Sequence, residues 1–188
     1  MKKVAVVYHS GYGHTERQAK AVAEGAAAVA GVMAHLISVA DVDQRWDDLA
    51  AADAIIFGAP TYMGSVSGDF KKFMDASSKP WFSSAWKDKL AAGFTNSGSQ
   101  NGDKLNSLIQ LMIFANQHGM LWVSLGLMPG NNNSKGSVDD LNRLGSFSGA
   151  MSQSNVDQGA DAMLESDLKT AAHLGRRVAE ATLRYSRA

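Results

Sequence analysis

Val4-Ala5-Val6-Val7-Tyr8-His9-Ser10-Gly11-Tyr12-Gly13-His14-Thr15 joins an unbroken apolar run to a polar loop that carries two glycines. The run lacks polar alternation, the pattern of a strand covered on both faces, so it reads as a central parallel strand. Beyond the loop, Thr15 to Ala30 is rich in Ala, Glu, Lys and Gln, with Ala19, Val22, Ala23 and Ala26 at helical spacing and Thr15 available as N-cap. Strand, loop and helix then recur. Val32 to Val39 reads as a second strand, Trp46 to Ala51 as a short helix, and Ala54 to Phe57 as a third strand ending at Gly58-Ala59-Pro60. Asp69 to Ala76 carries Phe70, Phe73 and Met74 on one helical face. Leu90 to Thr95 and Met120 to Leu125 read as strands four and five around a helix over Lys104 to Asn116, and Leu164 to Arg184 as a closing amphipathic helix.

Five strands alternating with helices predict an α/β sandwich whose parallel sheet is covered on both faces. Ligands of such open sheets bind beyond the carboxyl ends of the strands, which singles out the loops after strands one, three and four. The long polar stretch from Leu127 to Gln158 has the length of a functional or disordered loop. With 188 residues, 45% of them hydrophobic, one domain spanning 1–188 is expected. Lys and Arg total 18, as do Asp and Glu, so no basic excess favours nucleic acid. Cysteine is absent, which excludes a disulfide framework and a thiolate cage. The apolar run behind Met1-Lys2-Lys3 is too short for a signal peptide, and no window approaches the roughly 18 apolar residues of a membrane span. A soluble, cytoplasmic protein is expected.

Ser10, Gly11, Tyr12, Gly13, His14 and Thr15 offer two hydroxyls, a tight backbone and a helix N-terminus, where N–H groups and the helix dipole favour an anion. No Gly-Lys-Ser/Thr closes this loop and the third glycine of a dinucleotide fingerprint is missing. Hydroxyls and N–H donors without a cation suit a monophosphate; the plainer reading is a strand-to-helix turn. Five histidines, at 9, 14, 35, 118 and 173, stand at no metal-ligand spacing, so no metal is expected.

Three blocks together carry a resemblance: residues 6–15 just quoted; Ile55-Ile56-Phe57-Gly58-Ala59-Pro60-Thr61-Tyr62-Met63-Gly64-Ser65-Val66-Ser67-Gly68; and Lys89-Leu90-Ala91-Ala92-Gly93-Phe94-Thr95-Asn96-Ser97-Gly98-Ser99-Gln100 with His118-Gly119-Met120. In order across residues 4 to 125, they resemble the flavodoxin-like NAD(P)H:quinone oxidoreductases of the WrbA type. The resemblance implies a flavodoxin-like three-layer sandwich with strand order 2-1-3-4-5. It also implies bound FMN, its phosphate on Ser10 to Thr15 and its ring between Pro60, Thr61, Tyr62, Met63 and Gly64 on one side and Thr95, Asn96, Ser97, Gly98 and Ser99 on the other.

The chemistry of those residues agrees: a rigid turn with aromatic and thioether surface for a flat ring, and donors for its polar edge. By the same resemblance His118 stands beside the ring in the substrate pocket as a catalytic group, and Trp81 reaches that pocket from a neighbouring subunit, in a homodimer or homotetramer. Trp81, Phe82 and Trp86 would be costly to expose, which suits an interface or packing within the subunit. The implied activity is ping-pong transfer of two electrons from NADH or NADPH to a quinone-like acceptor. The alternative is a flavodoxin-like electron carrier without that activity, though such carriers are usually strongly acidic and this chain is neutral. Where the family commonly has Arg-Phe-Gly-Asn-Met this chain has Tyr62-Met63-Gly64-Ser65-Val66, so an arginine near the ring edge is missing.

Overall fold

The computed structural model describes residues 1–185. Its elements are β1 (Lys2–Tyr8), α1 (His14–Ala27), β2 (Val32–Ser38), α2 (Trp46–Ala51), β3 (Ala54–Tyr62), β4 (Ser65–Val66), α3 (Gly68–Ala76), α4 (Ser78–Phe82), β5 (Leu90–Ser97), α5 (Lys104–Gln117), β6 (Leu121–Trp122), β7 (Ala150–Gln153) and α6 (Glu165–Tyr185). The sheet runs β2-β1-β3-β5-β6, with β4 antiparallel on β3 and β7 parallel on β5.

Seven strands thus replace the expected five in a plain 2-1-3-4-5 order. The difference lies mainly at the far edge. The expected strand Met120–Leu125 contributes ladder pairing only at Leu121 and Trp122, opposite Leu90 and Ala91. The chain then departs through residues 127–149 and returns as β7, which pairs with Phe94 to Ser97. A stretch expected as loop therefore supplies a strand, and the edge position is filled by two pieces in line.

Alternation along the strands sorts the core into two layers. Val4, Val6, Ile56 and Phe94 pack with Ala19, Val22 and Ala26 of α1 and Leu174 and Val178 of α6. Ala5, Val7, Ile55 and Phe57 face the opposite way, onto Leu49, Phe70, Phe73, Leu108, Leu111, Phe114 and Trp86. Trp86 is therefore buried in an aromatic cluster with Phe57, Phe73 and Phe114, not at an interface. Helix α1 lies directly on α6. A Cβ on Gly25 would come within 1.9 Å of the Ala172 carbonyl oxygen, and one on Gly175 equally close to that of Val22. Glycine at both positions lets the two backbones touch.

Candidate functional site

Beyond the carboxyl ends of β1, β3 and β5 lies a cavity of about 760 Å³, within the usual size of small-molecule sites. Ser10, Tyr12, His14, Thr15, Pro60, Thr61, Tyr62, Asn96, Ser97 and Gly98 line it, so the structure brings all three predicted loops together. Gly11, Gly13, Met63, Gly64, Thr95 and Ser99 are not in the lining. Met63 is fully exposed at a φ of 50°, at the tip of the second loop.

The first loop is held by its own groups. The Gly13 N–H donates to Ser10 Oγ at 3.0 Å, which leaves the Ser10 hydroxyl proton free to donate. Gly13 occupies the left-handed region at φ 89° and is the N-cap, with no side-chain cap. Thr15, expected as that cap, is instead the buried second residue of the helix. The first helical bond to the cap is Arg17 N–H to Gly13 O, so the His14, Thr15 and Glu16 N–H groups have no backbone acceptor among the described residues. An uncapped helix start with two hydroxyls, and no Lys or Arg among the described lining residues, is a donor set for an anion. The imidazole of His14 is bound to the Gln158 carbonyl at 2.9 Å.

The second and third loops are locked by buried hydroxyls. Thr61 donates to Ser107 at 2.7 Å, so its oxygen accepts from Thr95, also at 2.7 Å. Thr95 is therefore a support beneath the cavity, not a wall. The Asn96 amide donates to Ser154 at 2.8 Å and accepts from Ser152 at 2.9 Å, which commits its side chain to the returning chain. Tyr62 stands edge-on to Tyr12, ring centres 6.5 Å apart, and burial with the Tyr12 neighbour pushes its phenol above the usual value.

Ser154, Asn155, Val156, Asp157 and Gln158 form the remaining wall, and the sequence reading missed them. The signal available was the length of the 127–158 stretch. Lys104 was missed as well: it is fully buried, with its ammonium on Ser97 Oγ and the Ser99 carbonyl.

His118 does not join this cavity. It follows α5 and precedes β6, whose Leu121 pairs with Leu90, the first residue of β5, whereas the cavity lies beyond Ser97, the last. A residue just before a parallel strand sits at the amino edge of the sheet, opposite the loops. There His118 and the half-exposed Trp81 line a second cavity of about 510 Å³ with Ser77 and Met74. Since the Ser77 hydroxyl donates to the Met74 carbonyl, it accepts from His118 Nε2–H at 2.9 Å, and Nδ1 is a buried lone pair without a partner among the described residues.

Burial lowers the His118 imidazole to about 4, which favours its neutral form at physiological pH. The unfolded chain takes up this proton near 6.5 and the folded chain does not until about 4, so His118 costs stability progressively as pH falls across that window. His118→Asn should flatten the decline in melting temperature from pH 6.5 to 4. An unchanged slope would show that the imidazole is not held neutral.

Comparison with known proteins agrees with this architecture. Residues 39–132 match the family model described as NADPH-dependent FMN reductase. A flavodoxin, FldP, from Pseudomonas aeruginosa is 51% identical over 95% of this chain and 96% of its own. An NAD(P)H dehydrogenase (quinone) from Syntrophobacter fumaroxidans is 31% identical over 98% of this chain and 99% of its own. The crystal structure of a flavodoxin, WrbA-like protein from Agrobacterium tumefaciens superposes with a TM-score of 0.76 at 47% identity, covering 98% of this chain and 99% of that one. With its loops gathered at one sheet edge and its relatives matched end to end, the chain belongs to the NADPH-dependent FMN reductase family as a flavodoxin-like protein of the WrbA type.

Proposed function

We propose that residues 1–188 act as one FMN-binding domain of a cytoplasmic oxidoreductase that passes two electrons from NADH or NADPH to a quinone-like acceptor by a ping-pong cycle. The observation that carries this reading is the cavity at the carboxyl ends of β1, β3 and β5, which joins an uncapped helix start to a wall that includes Pro60 and Tyr62. It lies at the place where flavodoxin folds take their flavin phosphate. Ser10, Thr15 and the first N–H groups of α1 would hold the phosphate. Pro60, Thr61, Tyr62, Ser97 and Gly98 would border the ring, with Val156 closing the opposite side. Bound FMN supplies the hydride and electron chemistry, and the chain supplies orientation, donors and exclusion of water.

The names of the relatives support both an enzyme and a carrier: NAD(P)H dehydrogenase (quinone) for one, flavodoxin for another. The chain's zero net charge favours the enzyme, because single-electron carriers find cationic partners through acidic surfaces. No helix among the described residues is long and apolar enough to cross a membrane, in keeping with small soluble donors and acceptors. Exposed Trp81 and Phe82 are the surface through which a homodimer or homotetramer would form.

Purified protein loaded with FMN should oxidise NADH or NADPH with benzoquinone, giving parallel lines in double-reciprocal plots at several quinone concentrations. If FMN binds and neither nicotinamide supports turnover, the enzyme reading falls and the carrier stands.

A further inference from the structure

Lys104 opens α5 immediately after two left-handed residues, Gly102 and Asp103, each at a φ of 55°. This double reversal curls the third loop back over the end of β5, and a Cβ on Gly102 would meet Ser97 Oγ at 2.6 Å. The lysine side chain runs inward beneath that curl and has no exposed surface. Its ammonium donates to Ser97 Oγ at 2.7 Å and to the Ser99 carbonyl at 2.5 Å. Ser97 in turn lines the cavity.

A buried ammonium is expensive, and lysine is rarely found fully inside unless paired. No carboxylate touches this one among the described residues. The charged groups that face it are Asp167 on α6 and Arg143 in the stretch before β7, and those two are bound to each other. Asp103 is the N-cap residue directly before it, and Ser97 and Ser99 bring no charge. Lys104, Arg143 and Asp167 together leave one positive charge in excess beneath the cavity wall.

The hydroxyl of Ser97 has a single proton, and with Lys104 donating to its oxygen that proton goes to the Ser99 carbonyl at 3.0 Å. Because the Ser99 carbonyl also accepts from Lys104, the Ser97 proton can be released to an acceptor in the cavity without leaving the carbonyl unsatisfied.

We propose that Lys104 is a positioning residue for the flavin site: its buried charge closes the third loop and, through the Ser97 hydroxyl, favours an electron-rich planar edge in the cavity. This rests on the FMN reading above. Since FMN gains negative charge on reduction, Lys104 makes the reduced cofactor bind more tightly relative to the oxidised one and raises its reduction potential.

The test is the midpoint potential of the FMN-loaded protein, measured by dye equilibration as a function of pH. In Lys104→Met the preference for reduced over oxidised FMN should fall about tenfold, which moves the two-electron potential about 30 mV more negative. The pH profile separates electrostatics from mere propping of the loop. Burial lowers the Lys104 ammonium to about 8, and added negative charge in the cavity raises it again. Above that pH, reduction therefore draws one further proton, and the wild-type potential should steepen by about 30 mV per pH unit, one tenfold step per unit for two electrons.

Lys104→Met should lack the break. Should that variant not fold, Lys104→Arg, which stays charged throughout this range, should lack the break as well, and a break that persists in it overturns the proposal. Equal potentials and equal slopes in the two proteins overturn it while leaving FMN binding intact. Failure of the wild type to take up FMN at all overturns the cofactor reading and this inference with it.

Discussion

Replacing Ser10 and Thr15 together by alanine is expected to weaken FMN binding by at least about a hundredfold. The Ser10 oxygen is already occupied by the Gly13 N–H, so its proton points away from the loop's own backbone, and Thr15 stands in the cavity lining on the first turn of α1. Neither Lys nor Arg among the described residues lines this cavity, and the His14 ring is engaged by the Gln158 carbonyl, so hydroxyls and backbone N–H groups are the main donors to an anion there. Hydrogen bonds to a charged group contribute about 1.5–3 kcal/mol each, so losing two costs about 3–6 kcal/mol, or two to four decades in affinity. Fluorescence titration of the apoprotein measures the loss, and riboflavin is the control that makes it specific. The double variant should bind riboflavin nearly as the parent does, since that ligand never had the phosphate. Undiminished affinity for FMN, or an equal loss for riboflavin, would move the phosphate away from the first loop.

What could be read without coordinates follows from which signals are local. The run Val4 to Val7 announces a doubly covered strand, and the structure divides it between two core layers residue by residue. The three site loops follow from strand polarity, which needs only the order of elements. The split edge strand is not written locally, because β7 owes its place to a vacancy beside Phe94 to Ser97 and its own four residues carry no strong alternation. The wall from Ser154 to Gln158 comes with it. Lys104 gave no sign of burial, as a lysine at a helix start ordinarily reaches into water. Topology sends His118, which precedes a parallel strand, to the amino edge of its own sheet, away from the loops of the same chain.

Asp167→Asn is expected to destabilise the fold by about 3–5 kcal/mol, the cost of breaking a buried ion pair from one side. Arg143 meets Asp167 through two parallel bonds, Nε at 2.9 Å and NH2 at 2.7 Å, with side-chain exposures of 4% and 2%. The same carboxylate accepts the Gln153 N–H at 2.9 Å, so it also anchors the end of β7, from which the cavity's last wall departs. Removing its charge leaves Arg143 and Lys104 buried together without an anion. At about 2–4 °C per kcal/mol for a chain of this size, the melting temperature at pH 7 should fall by about 6–20 °C.

Two further measurements distinguish charge from shape. Arg143→Met with Asp167→Leu should recover much of the loss, because a well-packed apolar pair of similar volume replaces a buried ion pair at little cost. Raising the pH from 7 to 9 should also narrow the gap between Asp167→Asn and the parent. Lys104 is protonated in the unfolded chain up to its ordinary 10.5 but only to about 8 in the fold, and lower still without Asp167 beside it. Once the pH exceeds the folded value in both proteins, each carries the same neutral amine and the same residual penalty, which fades only as pH approaches 10.5, so the part of the gap due to Lys104 closes. A melting temperature for Asp167→Asn within 2 °C of the parent at pH 7, an order-of-magnitude bound on ~1 kcal/mol, would mean that solvent or rearrangement neutralises the site, and the excess charge assigned to Lys104 would have to be abandoned with it.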